Sequence, residues 1–189
     1  PAAAFLADVR LFSGVLQPAQ VRALSDRSAC AAAALDVVLV LDGSGGVSDA
    51  AFKAGVDAAY ALAVALRAGQ AGSDSRMAVV LYGAANGVVE CGFEDDSSGA
   101  TELARCMYGL LERRPGGASS LAQGIKRARD YLLANARSHA TAAAVTLSLS
   151  APASEAEVVT AATSLRGHGF PLLAAGHGVR AALLRRAYA

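Results

Sequence analysis

The sequence predicts an α/β fold, a doubly wound, mostly parallel sheet with one antiparallel edge strand and helices on both faces. From residue 36 onward, apolar runs of strand length alternate with longer helical patterns, which is typical of parallel-sheet proteins. The run LDVVLVL at 35–41 is rich in β-branched residues and lacks polar alternation, as expected of a strand buried on both faces. With 54% hydrophobic and 17% charged residues in 189, the chain can bury a sizeable core.

The next elements alternate between helix and strand. Ser48 is expected to cap a helix whose inward face carries an apolar residue at every fourth position, namely Phe52, Val56, Tyr60 and Val64. RMAVVLYG and NGVVECGF predict a strand and its antiparallel hairpin partner at the sheet edge. Helices are predicted over 101–114 and 120–137, and the second packs through Leu121, Ile125, Ala128 and Leu132.

The last elements complete the alternation. AAAVTLSLS at 142–150 predicts a strand, and Ser154 with Glu157 predicts a capping box that starts a helix ending at Gly167. GFPLLAAG predicts a fifth strand, and VRAALLRRAYA predicts a closing helix.

Composition excludes several classes of partner. Lys and Arg number 17 against 16 Asp and Glu, so bulk charge gives no reason to expect binding to nucleic acid or to an anionic membrane. No apolar run reaches the roughly 18 residues that would insert directly into a bilayer. Cys30, Cys91 and Cys106 show no metal-binding spacing. They are either buried free thiols, or Cys91 pairs with Cys106 while Cys30 pairs outside this segment.

The glycine-serine loop after the first strand, DGSGG, is the candidate functional site. It lacks the third glycine of a dinucleotide fingerprint and the lysine of a P-loop, and Asp42 would repel a phosphate. Ser44 resembles an esterase nucleophile, for which Asp130 and one histidine, His139, His168 or His177, would complete a triad. The remaining hypothesis is a hard cation held by carboxylate and hydroxyl oxygens.

DVVLVLDGSGGVS resembles the first strand and metal loop of a von Willebrand factor type A (vWA) domain, a Rossmann-like fold. RMAVVLYGAANGVVECGF resembles the second strand and hairpin of that family, and GGASSLAQGIKRA resembles its glycine turn before a helix. SEAEVVTAATSLRGHGFPLLAAGHG is similar to the later helix and strand, so the resemblance covers about residues 35–178.

The resemblance implies a degenerate metal-ion-dependent adhesion site (MIDAS). Asp42, Ser44 and Ser119 occupy ligand positions. However, Gly46 replaces a motif serine and Ala151 replaces an aspartate, while Ser150 stands where the family has threonine. Losing a carboxylate and a hydroxyl predicts no resident cofactor and at most weak Mg²⁺ binding. Asp42 would then accept hydrogen bonds from backbone N–H groups or hydroxyls of this same loop and brace it.

A second resemblance, near the N-terminus, bears on the domain boundaries. Residues 1–29 resemble the closing strand and helix of a laminin-G-like, concanavalin-type domain. They form either the end of such a domain or an N-terminal extension packed on the vWA-like domain at 30–189. The family usually continues with another strand after AAGHG, so we expect a vWA-like domain that is incomplete at its C-terminus and a sheet edge that is exposed or covered by a neighbour.

The implied function is a non-catalytic protein-binding module for adhesion or structural assembly at the cell surface or outside the cell. The loops that would bind are those containing Gly45, Gly46, Ser120, Ser150 and Ala151. Partners would be proteins, including other domains of the same polypeptide or copies of this chain. Two alternatives are an intracellular vWA scaffold subunit of a larger complex and, less favoured, a serine hydrolase using Ser44. An oxidised Cys91–Cys106 pair would favour the extracellular hypothesis.

Overall fold

A computed structural model describes residues 34–83, 87–93 and 99–176. The predicted N-terminal extension, Cys30, His177 and the closing helix lie outside these ranges. The strands are β1 (Leu35–Asp42), β2 (Ser75–Tyr82), β3 (Val88–Cys91), β4 (Thr141–Ser148) and β5 (Leu172–Gly176). The helices are α1 (Asp49–Leu66), α2 (Ala100–Gly109), a 3₁₀ turn (Leu110–Glu112), α3 (Leu121–Asn135) and α4 (Glu155–Gly167).

The sheet has the strand order β3-β2-β1-β4-β5. β1 runs parallel to β2 and β4, β5 runs parallel to β4, and β3 pairs antiparallel with β2. The predicted fold class is therefore confirmed. Because the parallel strands end at the same edge, the loops after β1 and β4 lie side by side there. We call this the top edge, and we call the edge where the parallel strands begin the bottom edge.

Two hydrophobic layers enclose the sheet because successive strand side chains point to opposite faces. Val38 and Val40 of β1 pack in one core with the apolar faces of α3 and α4. Leu39 and Leu41 pack in the other core with α1 and α2. Among the described residues, no helix is both long enough and apolar enough to cross a membrane.

The predicted inward face of α1 is wrong at its C-terminal end. Phe52 and Val56 are buried, but Val64 is 48% exposed. Ala59 and Ala63 take the inward positions instead. A four-residue step turns a helix by about 40° more than a full rotation, so three steps carry Val64 roughly 120° away from the direction of Phe52.

Several boundaries also differ from the predictions. α2 ends at Gly109 and gives way to a 3₁₀ turn, where a helix to 114 was expected. β3 spans only Val88–Cys91, and β4 ends at Ser148, so Ser150 lies in a loop. The Ser154 half of the predicted capping box is present, since the Ser154 hydroxyl accepts from the Glu157 N–H at 3.3 Å.

A buried acidic residue, Asp36, is the second residue of β1 and lies at the bottom edge. Asp36 is 0% exposed and accepts from Arg76 Nε at 2.9 Å and Nη2 at 2.8 Å. Arg137 donates to the same carboxylate from its backbone N–H at 2.7 Å and from Nη2 at 2.8 Å. The Arg76 guanidinium also lies 4.4 Å from the centre of the Phe93 ring. This cluster joins β1, β2 and the segment before β4.

A disulfide joins Cys91 of β3 to Cys106 of α2. Of the two alternatives that the sequence left open, pairing is therefore found for these two cysteines, and they are not free thiols. The bridge ties an edge strand to the helix on its face.

Removing this disulfide is expected to lower the free energy of unfolding by about 3 kcal/mol, the value typical of a loop of about 15 residues. The sequence separation here is 15. Urea denaturation of a Cys91→Ala/Cys106→Ala double variant measures the change. Wild type with reductant should match the double variant without it. Equal stability of wild type and variant in the absence of reductant would contradict the expectation.

Candidate functional site

Three loops meet at the top edge. The Gly loop (residues 43–48) joins β1 to α1, the Pro-Gly loop (115–120) leads into α3, and the third loop (149–154) joins β4 to α4. The Gly43 N–H donates to the Tyr82 carbonyl at 2.8 Å, and the Gly45 N–H donates to the Gly117 carbonyl at 2.7 Å. The Ala153 N–H donates to the Ser119 carbonyl at 3.1 Å. Backbone hydrogen bonds thus connect all three loops.

Asp42 ends β1 and is 0% exposed. Its Oδ1 accepts from the Ser44 N–H at 3.0 Å. Its Oδ2 accepts from the Leu149 N–H at 3.2 Å, the Ser150 N–H at 2.9 Å and the Ser150 hydroxyl at 2.6 Å. Asp42 therefore accepts backbone and hydroxyl hydrogen bonds, as expected of a bracing residue. The expectation that these donors belong to the Gly loop is met only by the Ser44 N–H, since the other three come from the third loop.

A chain of hydroxyls surrounds this carboxylate. Ser44 Oγ lies 3.2 Å from Ser150 Oγ. The Tyr82 hydroxyl donates to Ser148 Oγ at 3.2 Å, and Ser148 Oγ donates to the Ser150 carbonyl at 2.9 Å. Burial raises the pKa of the Tyr82 phenol well above its ordinary value, and the negative charge of Asp42 raises it further. The phenol therefore stays protonated and remains a donor.

Sequence reasoning did not identify Tyr82 or Ser148 as site residues. Each ends a strand beside β1, and Tyr82 stands opposite Asp42 in the β1–β2 register. The available signal was that the last residue of every parallel strand meets the same edge.

Ser119 contributes a buried hydroxyl for which the described residues supply no hydrogen-bond partner. The Tyr82 phenol lies near this hydroxyl. Ser120, the residue before α3, makes no side-chain capping hydrogen bond. A cavity of about 30 Å³ lies between the Pro-Gly and third loops. It is large enough for water but far too small for an organic substrate.

Two glycines of the Gly loop differ in what they permit. A Cβ on Gly45 would meet the Gly117 backbone N at 3.1 Å, so a side chain there would push the two loops apart by a few tenths of an ångström. A Cβ on Gly46 would meet only Ser150 Cβ, at 3.9 Å. Gly46 and Ala151 are both exposed and carry no side-chain oxygen.

The donor set does not fit a tightly held divalent cation. Mg²⁺ takes about six oxygen ligands, of which one or two are usually carboxylates. Here a single carboxylate is available, and its Oδ2 already accepts three hydrogen bonds. Within residues 34–83, 87–93 and 99–176, no group of three or more His, Cys, Asp or Glu side chains could hold a metal. Of the predicted ligands, Asp42 and Ser44 meet the third loop, and only the Ser119 hydroxyl is unengaged.

The described residues do not assemble a serine hydrolase triad. Ser44 follows the end of β1, whereas His139 and His168 precede the starts of β4 and β5. They therefore lie at the bottom edge, roughly 25 Å away along an eight-residue strand. Asp130 pairs with Arg129 on α3 at 2.6 Å. Ser44 instead contacts Ser150.

Comparison with solved structures places the fold. Manganese-loaded TRAP protein of Plasmodium vivax matches with a TM-score of 0.68 at 16% identity, over 81% of this chain and 61% of that one. Proximal thread matrix protein 1 (PTMP1) of the mussel byssus, with a zinc-occupied MIDAS, gives 0.69 at 16%, over 84% and 40%. A type A domain from Catenulispora acidiphila gives 0.58 at 18%, over 82% and 36%. The chain thus spans about three fifths of the TRAP structure and about two fifths or less of the other two.

Sequence comparison identifies the family. Among curated proteins, no sequence matches the chain significantly. A profile of the von Willebrand factor type A domain, however, matches residues 36–184. That range includes all of the described sheet except its first residue, together with all three loops of the top edge, and we conclude that the chain belongs to the von Willebrand factor type A domain family.

Proposed function

We propose that this chain is a non-catalytic protein-binding module for adhesion or structural assembly outside the cell, and that it binds without a resident metal ion. One observation carries the proposal. The Asp42 carboxylate, which would be the main metal ligand, is satisfied by donors of the chain itself. The loops are therefore held together without a cation.

The exposed residues of these three loops are small and uncharged. We call the surface that they form the top surface, and its exposed residues are Gly45, Gly46, Ser48, Pro115, Gly117, Ala118, Ala151 and Ala153. Without a metal, a partner's carboxylate cannot complete a coordination sphere. Recognition then rests on shape, hydrogen bonds and apolar contact, and small residues let a partner's backbone approach closely.

The disulfide supports a location outside the cell, because disulfides persist in oxidising compartments. It favours the extracellular module over the intracellular scaffold subunit. TRAP is manganese-loaded and PTMP1 has a zinc-occupied MIDAS, so the proposed independence of metal would set this chain apart from these two fold neighbours. PTMP1 is a thread matrix protein, and its name supports structural assembly as a role for such a domain. The proposed partners are proteins, including copies of this chain.

Substituting Ala151 with arginine is expected to reduce adhesion at least about tenfold, since a bulky charge at the centre of an interface is costly. Adhesion is measured with beads that carry the 189-residue chain, on extracellular-matrix extract and on each other. The matched control is Ala71→Arg, an exposed alanine between α1 and β2 at the bottom edge. Adhesion should be the same in EDTA and in magnesium. Loss of adhesion in EDTA, or equal effects of the two substitutions, would refute the proposed surface or its independence of metal.

A further inference from the structure

Arg114 lies between the 3₁₀ turn and the Pro-Gly loop, and its side chain contacts the Gly loop. Its Nη2 donates to the carbonyl oxygen of Ser44 at 2.5 Å and to that of Val47. Its Nε donates to the Gly43 carbonyl at 3.3 Å. Three carbonyl oxygens of one loop thus converge on one guanidinium, which can donate five hydrogen bonds in a fixed fork.

The Arg114 side chain is itself fixed in place. Its Nη1 pairs with the Asp49 carboxylate at 2.6 Å, and its side chain is only 17% exposed. The guanidinium carbon lies 5.3 Å from the centre of the Phe52 ring, a cation–π distance. Both Asp49 and Phe52 belong to the first turn of α1, so the same cation links the Gly loop to the helix that follows it.

The backbone next to Arg114 also packs against the Gly loop. The Gly116 N–H donates to the Gly43 carbonyl at 3.0 Å. A Cβ on Gly43 would meet Pro115 Cδ at 2.7 Å, so this contact requires glycine. The residues on the C-terminal side of Arg114 therefore hold its backbone next to the Gly loop. This lowers the conformational entropy that the side chain loses when it binds the loop carbonyls.

The glycine-rich Gly loop needs a hydrogen-bond donor that holds it in one conformation. Three of its first four residues are glycines, whose backbone freedom makes ordering costly. Asp42 accounts for one N–H of the loop, at Ser44. The carbonyls on the same stretch would face no cation if Arg114 were absent.

We propose that Arg114 is a built-in cation that orders the Gly loop. In other sites of this kind, a bound metal ion orders the loop. The functional consequence of Arg114 rests on the proposed metal-independent binding, because Arg114 would keep the top surface formed in the absence of metal. The ordering of the loop rests on the contacts alone.

Hydrogen exchange tests this in the 189-residue chain. The Ser44, Gly45 and Val47 amides are hydrogen-bonded within the site and report on loop order. Arg114→Met is expected to speed their exchange at least about tenfold relative to the amides of β2, which serve as the internal reference. The matched control is Arg113→Met. Arg113 contacts Glu90 and the Gly109 and Cys106 carbonyls, and among the described residues it makes no hydrogen bond or ion pair to the Gly loop.

Arg114→Lys keeps the charge but loses the fork, so it is expected to speed exchange of the same amides by a smaller factor. If Arg114→Met does not fold, Arg114→Lys decides the question. Equal exchange in the Arg114 and Arg113 variants would overturn the proposal. So would EDTA speeding wild-type exchange as much as Arg114→Met does. Bead adhesion is a separate readout, so the proposed binding surface can fail while the loop remains ordered by Arg114.

Discussion

Replacing Asp36 with asparagine is expected to lower the free energy of unfolding by about 3 kcal/mol, at the lower end of the range for breaking a buried ion pair. Asparagine would leave two guanidiniums, those of Arg76 and Arg137, around a neutral amide with one acceptor fewer. Both side chains are 24% exposed, so water relieves part of the cost. Urea denaturation measures the change.

The matched control is Asp57→Asn. Asp57 pairs with Lys53 at 2.7 Å, but both side chains are about half exposed. Exposed pairs of this kind contribute roughly 0–1 kcal/mol. A loss of stability in Asp36→Asn no larger than in Asp57→Asn would show that the ion pairs of Asp36 with Arg76 and Arg137 contribute nothing beyond an ordinary surface pair.

The effect of Asp36 should depend on pH. Burial raises the pKa of Asp36, but hydrogen bonds from Arg76 and Arg137 outweigh it and hold the pKa below the ordinary value of 3.8. A carboxylate with a lowered folded-state pKa stabilises the fold above its unfolded-state pKa, and this is lost as pH falls through the folded-state pKa. The difference between wild type and Asp36→Asn should be constant from pH 7 to 5 and shrink below about pH 4. A difference that persists unchanged at pH 2 would rule out the ionised carboxylate as its origin.

The sequence predicted the sheet because its information is local. Apolar runs such as 35–41 mark buried strands, and alternation with helices sets a parallel arrangement. The contacts that fix both edges are not local. Asp36 meets Arg137 across 101 positions, and Arg114 meets Ser44 across 70. No periodicity of the sequence connects residues so far apart, so neither the contacts of Asp36 nor those of Arg114 were predicted.

The candidate site was only partly predictable for a related reason. The resemblance located Asp42, Ser44 and Ser119, because motif spacing survives in sequence. It could not show that the Ser150 hydroxyl and N–H groups of the third loop would satisfy Asp42. That outcome depends on where β4 ends, and the prediction placed this end two residues late.

Restoring the two missing oxygen ligands is expected to create a metal site. The double variant Gly46→Ser/Ala151→Asp adds a hydroxyl and a carboxylate to the top edge. Gly46 does not have a positive φ, and its Cβ position is open except for Ser150 Cβ at 3.9 Å. Serine should therefore fit without strain. Ala151 is exposed, so an aspartate there remains solvated until it meets a cation.

Calorimetric titration with Mg²⁺ and Mn²⁺ measures the gain. We expect the double variant to bind at least about 100-fold more tightly than wild type, because even outer-sphere partners change metal affinity 10- to 100-fold and these substitutions supply direct ligands. Part of the gain is offset because Oδ2 of Asp42 must give up hydrogen bonds from the third loop. The Ser119 hydroxyl, which has no partner among the described residues, is free to turn toward the ion.

The controls separate ligation from packing and general charge. Gly46→Ala/Ala151→Asn has nearly the same shape but lacks the added hydroxyl and negative charge, and it should bind no better than wild type. Asp42→Ala in the double variant should abolish the gained affinity, because the ion would then lose its first carboxylate. Tight Mg²⁺ binding by the wild-type chain that Asp42→Ala abolishes would instead show that the existing donors suffice. The metal-independent function proposed above would then be wrong, whereas the hydrogen-exchange result for Arg114 would stand or fall separately.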